Sequence, residues 1–157
     1  MREAADRALG ERPYFTQLKG LIGLLDGMVV QMLTGEGKTL VGAMAAAGYA
    51  LQGRTVHVVS VNDYLAARDV EWMRPLFDLL GVTAASVGES DSEESRRKSY
   101  TQEVVYASVQ EVGFDTLRDR FRTQGQKPRI AQRDVVIVDE ADSVLIDEAR
   151  VPLVLAG

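Results

Sequence analysis

The sequence predicts an α/β domain with a parallel sheet of about five or more strands and helices on both faces. Short runs rich in β-branched residues alternate along the chain with longer segments of helical periodicity. The strand runs are apolar almost throughout, which is typical of parallel strands that helices cover on both faces. Strands are predicted over residues 29–32, 56–61, 83–87, 104–107 and 135–138, and helices over residues 38–52, 63–80, 91–100 and 109–122.

Residues typical of helix ends support these boundaries. Gly53 and Gly81 follow two of the predicted helices, at the position where a left-handed residue commonly ends a helix. Asn62 is predicted to cap the helix that begins at residue 63, and Ser90 with Glu93 has the spacing of a capping box. The pattern therefore indicates repeated strand–helix units.

Composition limits the possible classes of protein. The chain has 157 residues, the size of one domain, and its 46% hydrophobic and 26% charged residues exclude a disordered chain. A formal net charge of −5 gives no basic excess of the kind that indicates a nucleic-acid-binding module. The absence of cysteine and the single histidine exclude disulfides and thiolate or histidine-rich metal sites. With no signal peptide or membrane span visible, a soluble cytoplasmic protein is expected.

A glycine-rich turn between a predicted strand and a predicted helix is the sharpest local signal. Residues 34–39 have the sequence TGEGKT, and glycines let successive backbone N–H groups point into one concavity that binds phosphate. Lys38 would then contact the β- and γ-phosphates, and the Thr39 hydroxyl would bind Mg²⁺. The strict phosphate-loop pattern has glycine where this chain has Met32. The alternative is an ordinary glycine turn before a helix, but the strand–turn–helix context favours phosphate binding.

Two acidic residues follow the last predicted strand. Residues 135–138 predict a buried central strand, and Asp139 and Glu140 come at its C-terminal end, where ligands of open α/β sheets bind. Asp139 is suited to bind Mg²⁺, directly or through water, and Glu140 to deprotonate an attacking water. The alternative is a pair of acids that stabilises a helix N-terminus. The glycine-rich turn in the same chain favours a shared nucleotide site.

A local cluster of basic residues is present in this acidic chain. It is predicted to form a solvated helix face and loop, with a contact surface for a partner such as nucleic acid as the alternative. Its members are Arg118, Arg120, Arg122, Lys127, Arg129 and Arg133.

Four segments resemble motifs of SecA, the family of bacterial protein-export ATPases. The segment QMLTGEGKTL (residues 31–40) is similar to the family's Walker A motif, which also lacks the first glycine. The segments VHVVSVNDYLAARD (56–69) and EVGFDTLRD (111–119) are similar to its next two motifs. The segment DEADSVLIDEAR (139–150) is similar to its Walker B motif. The resemblance covers essentially the whole chain.

Further residues sharpen this resemblance. Upstream of the turn, Arg12 and Gln17 resemble the family's adenine-binding segment. Ala141 stands where the housekeeping form of SecA has valine. This residue and segments such as GYALQGRTVHVV (48–59) make the chain more similar to the accessory SecA of actinobacteria.

The resemblance implies the first RecA-like nucleotide-binding domain of a two-domain motor, over residues 1–157. In this family ATP lies between two such domains, and the second, in cis, contributes arginines to the transition state. ATP or ADP and Mg²⁺ are the implied cofactors. The implied nucleotide-binding residues are Arg12, Gln17, Thr34, Gly35, Glu36, Gly37, Lys38 and Thr39. Thr39 and Asp139 are implied at Mg²⁺, and Lys38 and Glu140 in catalysis.

The same resemblance implies partners and a location. Preprotein substrates and a SecY-type membrane channel are the implied partners of the full-length protein, which would associate peripherally with the inner face of the cell membrane. No nucleic acid is expected. A preprotein-binding insertion and the second RecA-like domain are implied beyond these residues, and the apolar run over 151–157, similar to the strand after Walker B, predicts a fragment of a longer chain.

Two alternatives remain open at the level of sequence. Residues 139–142 spell DEAD, so the domain could be the core of a DEAD-type superfamily 2 nucleic-acid helicase. Against this, VNDYLA stands where such helicases have a segment that contacts nucleic acid. In the other alternative, the isolated chain binds nucleotide without turnover.

Overall fold

The computed structural model describes residues 1–121, 128–147 and 153–154. The helices are α1 (Arg2–Leu9), α2 (Phe15–Leu25), α3 (Lys38–Ala50), α4 (Asp63–Leu80), α5 (Glu93–Ser99) and α6 (Val109–Arg120). The strands are β1 (Val56–Ser60), β2 (Ala84–Val87), β3 (Val104–Ser108) and β4 (Val135–Val138), and a π-helical turn covers Ser143–Asp147. Within the described ranges, no helix combines the length and apolar character needed to cross a membrane.

The four strands form one parallel sheet in the order β2-β3-β1-β4. Val56 of β1 lies opposite Val104 of β3 on one side and Val135 of β4 on the other. Parallel neighbours need crossover connections, and the helices between the strands supply them. The strands therefore end at one common edge, and side chains that are distant in sequence meet there.

Helices cover both faces of this sheet. In β3, Val104 and Tyr106 belong to a large apolar core that includes residues of α1 to α4. Val105 and Ala107 belong to a smaller core, against which Val112 of α6 packs. The two sets alternate because successive side chains of a strand point to opposite faces. The predicted α/β class with a parallel sheet is confirmed.

The predicted strand over residues 29–32 is not a strand in the structure, so the described sheet has four strands instead of five. Val29 is 97% exposed. Val30 packs instead on α2, where glycines at 20 and 23 let it approach so closely that a Cβ atom on Gly23 would lie 2.9 Å from Val30 Cγ2. A β-branched run becomes a strand only beside a hydrogen-bonding neighbour, and in the described part of the chain these residues have none.

The position of β4 also corrects the prediction of a central strand. In the described sheet β4 is an edge strand that pairs with β1 alone. Ile137 is buried, but Val136 is 62% exposed. The run of four apolar residues predicted burial on both faces, and burial also depends on neighbours that a local pattern does not reveal.

Helix ends follow local signals closely. Helix α4 has its predicted bounds, and Asn62 Oδ1 accepts a hydrogen bond from the backbone N–H of Leu65 at 2.9 Å, as expected for a cap. Helix α5 begins later than predicted, because Ser92 rather than Ser90 is its cap and accepts from the N–H of Ser95 at 3.2 Å. The sequence pattern predicts no element before residue 29, whereas the structure has helices α1 and α2 there.

A buried ionic cluster joins α5, α6 and the segment after residue 127. Asp115 of α6 is 0% exposed and accepts hydrogen bonds from Arg96 Nη1 at 2.9 Å and from the Tyr100 hydroxyl at 3.0 Å. Arg118 and Arg129 also form ion pairs with this carboxylate. Ionised side chains remain buried only when partners compensate their desolvation. This cluster therefore holds α6 against α5 through the pair between Asp115 and Arg96.

Most described members of the predicted basic cluster pair with acids. Arg118 and Arg129 form ion pairs with Asp115. Arg133 Nη2 lies 3.8 Å from Asp119 Oδ2. Arg122 and Lys127 lie outside the described residues. Most of residues 151–157, whose sequence resembles the strand after Walker B, also lie outside them. The pairing favours a structural role for these arginines.

Asp115→Asn is expected to lower the free energy of unfolding by about 3–5 kcal/mol, because it leaves the buried guanidinium of Arg96 without full charge compensation. Urea denaturation of the purified variant measures this. Glu89→Gln, at an exposed loop position, is the control and should change stability by less than about 0.5 kcal/mol. Equal stability of the two variants would contradict the role of Asp115 in compensating the buried charge of Arg96.

Candidate functional site

The turn before α3 has the backbone conformation that phosphate binding requires. Gly35 and Gly37 have φ angles of 84° and 77°, in the left-handed region that costs other residues roughly 1–2 kcal/mol. Gly37 is the N-cap of α3, and its carbonyl accepts from the N–H of Val41 at 3.2 Å. The first N–H groups of a helix have no partner within it and carry the positive end of its dipole. This helix end is suited to bind an anion.

Gln17 of α2 connects the upstream segment to this turn. Its side chain is buried, and Oε1 accepts from the N–H of Tyr14 at 2.8 Å. Its Nε2 donates to the carbonyl of Glu36 at 2.9 Å. A Cβ atom on Gly37 would lie 2.5 Å from this nitrogen, so another residue there would displace the end of the Gln17 side chain. The positive φ angle is the stronger reason for glycine at this position.

The other residues predicted to bind nucleotide have different surroundings. Thr34 is exposed in the turn. The side chain of Glu36 folds back, and its Oε2 accepts from the N–H of Leu33 at 2.7 Å. Arg12 donates to Asp6 Oδ2 at 2.9 Å. The structure therefore brings Gln17 to the turn, whereas it pairs Arg12 with α1.

A cavity of about 80 Å³ lies where α3, β1 and β4 meet. Lys38 and Thr39 line it from the first turn of α3, Ser60 from the C-terminal end of β1, and Asp139 from the end of β4. Its remaining walls include the apolar residues Leu24, Val30, Met32, Val41, Val58, Tyr106, Ile137 and Val138. The structure thus brings the adjacent Lys38 and Thr39 together with a carboxylate, Asp139, that lies about a hundred positions later in the sequence.

Asp139 directly follows the C-terminal end of β4 and is held in place by a backbone hydrogen bond to β1. Its N–H donates to the carbonyl of Val59 in β1 at 2.9 Å. Burial raises the pKa of its carboxyl above the ordinary value, and the charges of Glu140 and Asp69 raise that pKa further. The N–H of Glu140 and the charge of Lys38 oppose this shift. A cation beside Asp139 would stabilise its ionised form.

Glu140 has an unusual backbone. It is the non-glycine residue with a positive φ, 51°, among the described residues, a conformation that costs roughly 1–2 kcal/mol. Its N–H donates to Asp139 Oδ1 at 3.0 Å, and its side chain is exposed. Strained residues concentrate at functional sites, and this turn directs the two adjacent acids differently: Asp139 lines the cavity, and Glu140 faces solvent.

Sequence reasoning missed Asp69, which lines the same cavity. It lies on α4 and is buried, and Arg68 donates to its Oδ1. A signal for it exists in the sequence: Asp69 occupies the apolar face of α4, four residues before Met73 and adjacent to Val70. A charged residue at such a position needs an explanation.

The donor set of the cavity fits Mg²⁺. This cation prefers hard oxygen ligands, keeps several waters and is commonly bound through one or two carboxylates together with phosphates. The Thr39 hydroxyl and the Asp139 carboxylate supply such oxygens beside the N-terminal end of α3. The turn, the parallel sheet and the acids after β4 define a RecA-like domain of the P-loop NTPase class.

Comparison with known proteins identifies the family. A family model described as the SecA DEAD-like domain matches residues 1–157. Protein translocase subunit SecA 2 of Thermobifida fusca is 60% identical over 156 residues, which are 99% of this chain and 20% of that protein. Protein translocase subunit SecA of Mycobacterium avium is 57% identical, with the same shares. The chain belongs to the SecA DEAD-like domain family, and the predicted similarity to actinobacterial SecA is confirmed.

A solved structure supports the fold alone. The hypothetical ATP-dependent RNA helicase from Sulfolobus tokodaii matches with a TM-score of 0.68 at 20% sequence identity, over 95% of this chain and 44% of that one. The chain spans about a fifth of the length of the SecA relatives that it matches.

Proposed function

We propose that the chain is the ATP-binding domain of a SecA-type ATPase, a motor that couples ATP hydrolysis to the movement of preproteins across the cytoplasmic membrane. The observation that carries this proposal is the cavity that Lys38, Thr39 and Asp139 line together, in a chain of the SecA DEAD-like domain family. Residues 1–157 would be the first RecA-like domain, and a second one in cis would complete the site.

Each residue of the site has a proposed task. The N–H groups at Gly35 and Gly37 and at the start of α3 bind phosphate oxygens, and the Lys38 ammonium neutralises the charge that develops on the β- and γ-phosphates. Thr39 and Asp139 would hold Mg²⁺, which when bound would neutralise further phosphate charge.

Three more residues complete the assignment. Glu140 accepts a proton from the water that attacks the γ-phosphorus; the bond between that phosphorus and the bridging oxygen breaks, and ADP leaves. Gln17 and Arg12 contact the adenine. For Arg12 this requires release of its exposed pair with Asp6, which contributes only about 0–1 kcal/mol.

The family supports a proposal for the partners and location of the full-length protein. Preproteins and a SecY-type channel are the proposed partners, at the inner face of the membrane. The isolated chain of residues 1–157 is expected to hydrolyse ATP little or not at all, because the second RecA-like domain contributes to the transition state. Turnover by this chain at the rate of the full-length protein would contradict a shared site.

The test is the stimulation of ATPase activity in the full-length protein. Membranes that contain the SecY-type channel, together with an unfolded preprotein, are expected to raise turnover, and single-stranded RNA is not. Glu140→Gln is the control that identifies turnover from this site. Stimulation by RNA with no response to preprotein would favour the helicase alternative and contradict the proposal.

A further inference from the structure

Asp69 is a buried carboxylate on the apolar face of α4. It is 4% exposed. The other buried residues of this helix are Ala66, Val70, Met73, Leu76 and Phe77. Taking an ionised carboxylate out of water costs several kcal/mol, so packing of α4 alone does not account for this residue. An apolar side chain would fill the position better.

The pair with Arg68 compensates Asp69 only in part. Arg68 donates from Nε at 2.9 Å and from Nη2 at 2.7 Å, and both bonds go to Oδ1. This pair therefore leaves Oδ2 unused. The Arg68 side chain is 48% exposed, and solvent weakens an ion pair with such a partner.

Asp69 shares its cavity with the proposed nucleotide-binding residues. It lines the same 80 Å³ cavity as Lys38, Thr39 and Asp139. The charges of Asp69 and Asp139 both raise the pKa of Tyr106, which lies in the wall of this cavity, after the larger effect of burial. The negative charges of both carboxylates are therefore felt within this cavity, which Lys38 and Thr39 line from α3.

We propose that Asp69 is a positioning residue of the nucleotide site, which strengthens Mg²⁺ binding beside Asp139 by adding negative charge and by accepting hydrogen bonds from the water that the cation keeps. This inference rests on the proposed function. Mg²⁺ sheds its water reluctantly, and carboxylates that bind such water and orient the direct ligands commonly change metal affinity by 10- to 100-fold when they are replaced. A carboxylate on the wall of the cavity serves this purpose, whereas an apolar residue would not.

The experiment compares nucleotide affinity with and without Mg²⁺. Fluorescently labelled ADP is titrated into the full-length protein and its Asp69→Asn variant over a range of Mg²⁺ concentrations. The variant is expected to need roughly 10- to 100-fold more Mg²⁺ for the same gain in ADP affinity. Its affinity for ADP without Mg²⁺ should stay equal or rise, because one negative charge near the phosphates has been removed.

Three controls separate this role from a structural one. Asp78→Asn, at an exposed position of the same helix, should leave the Mg²⁺ dependence unchanged, and Asp69→Glu should recover part of the loss. Arg68→Gln should keep or raise Mg²⁺ affinity, because it removes a positive charge that would compete with Mg²⁺ for these carboxylates. Both of them raise the pKa of Arg68, Asp69 more strongly than Asp139.

Several results would overturn the inference. One is an unchanged Mg²⁺ dependence in Asp69→Asn, and another is an equal loss of ADP affinity with and without Mg²⁺. A loss in Arg68→Gln as large as that in Asp69→Asn would also contradict it. If the unmodified protein binds no ADP under any condition, the proposed function fails and the inference fails with it.

Discussion

Lys38→Ala is expected to weaken ATP and ADP binding by about 2–4 kcal/mol, or roughly 30- to 700-fold, because it removes a charged hydrogen-bond donor from a partly desolvated phosphate site. Lys38 lies in the first turn of α3 and lines the cavity with Thr39 and Asp139. Fluorescence titration with labelled ADP in the presence of Mg²⁺ measures the loss.

The fold should survive this substitution. A cation at a helix N-terminus opposes the dipole and costs about 0.3–1 kcal/mol, and alanine is a strong helix former. The melting temperature of Lys38→Ala should therefore stay equal or rise. Lys98→Ala, at an exposed position of α5, is the matched control and should bind nucleotide normally. Unchanged affinity in Lys38→Ala would refute its assignment to the phosphates.

Glu140→Gln is expected to lower ATP turnover of the full-length protein by roughly 10²- to 10⁴-fold, because glutamine has the same shape and cannot accept the proton of the attacking water. Nucleotide affinity should change little, since Glu140 is exposed and lies outside the lining of the cavity. A single-turnover measurement of phosphate release separates the chemical step from product release.

The control for this variant is Glu94→Gln, which removes an exposed carboxylate from α5. It should retain full turnover. If Glu140→Gln hydrolyses ATP at the normal rate, another group accepts the proton. If it loses nucleotide binding together with turnover, the residue positions the nucleotide and does not act as the base.

The part of the fold that the sequence predicts is the part with local causes. Gly37 marks the start of α3 because its left-handed conformation forms the turn directly before the first helical residue, Lys38. Asn62 marks the start of α4 through a single hydrogen bond. The strand over Val135–Val138 has its predicted bounds because four apolar β-formers precede two acids.

The errors arise where tertiary neighbours decide the outcome. Residues 29–32 have the composition of a strand, but in the described structure they pack on the glycines of α2 and have no neighbouring strand. Val136 is exposed for a related reason, since β4 pairs with β1 alone in the described sheet. Neither arrangement can be derived from periodicity.

In the candidate site, too, local sequence indicates some residues, and only the fold reveals the others. The sequence supplies the identities of Lys38, Thr39 and Asp139, and the parallel sheet brings them into one cavity. The helical pattern alone does not predict a role for Asp69, because a single polar residue on an apolar face is compatible with an ordinary helix. The packing of α4 shows that this carboxylate is buried at the cavity.

A crystal structure with ADP and Mn²⁺ in place of Mg²⁺ would show whether this cavity is the nucleotide site, because the anomalous signal of Mn²⁺ locates the cation without reference to any assigned ligand. We expect the phosphates to lie against the N–H groups at Gly35, Gly37 and the start of α3, with the cation between the Thr39 hydroxyl and Asp139. A nucleotide bound away from α3, or a cation distant from both of these residues, would contradict it.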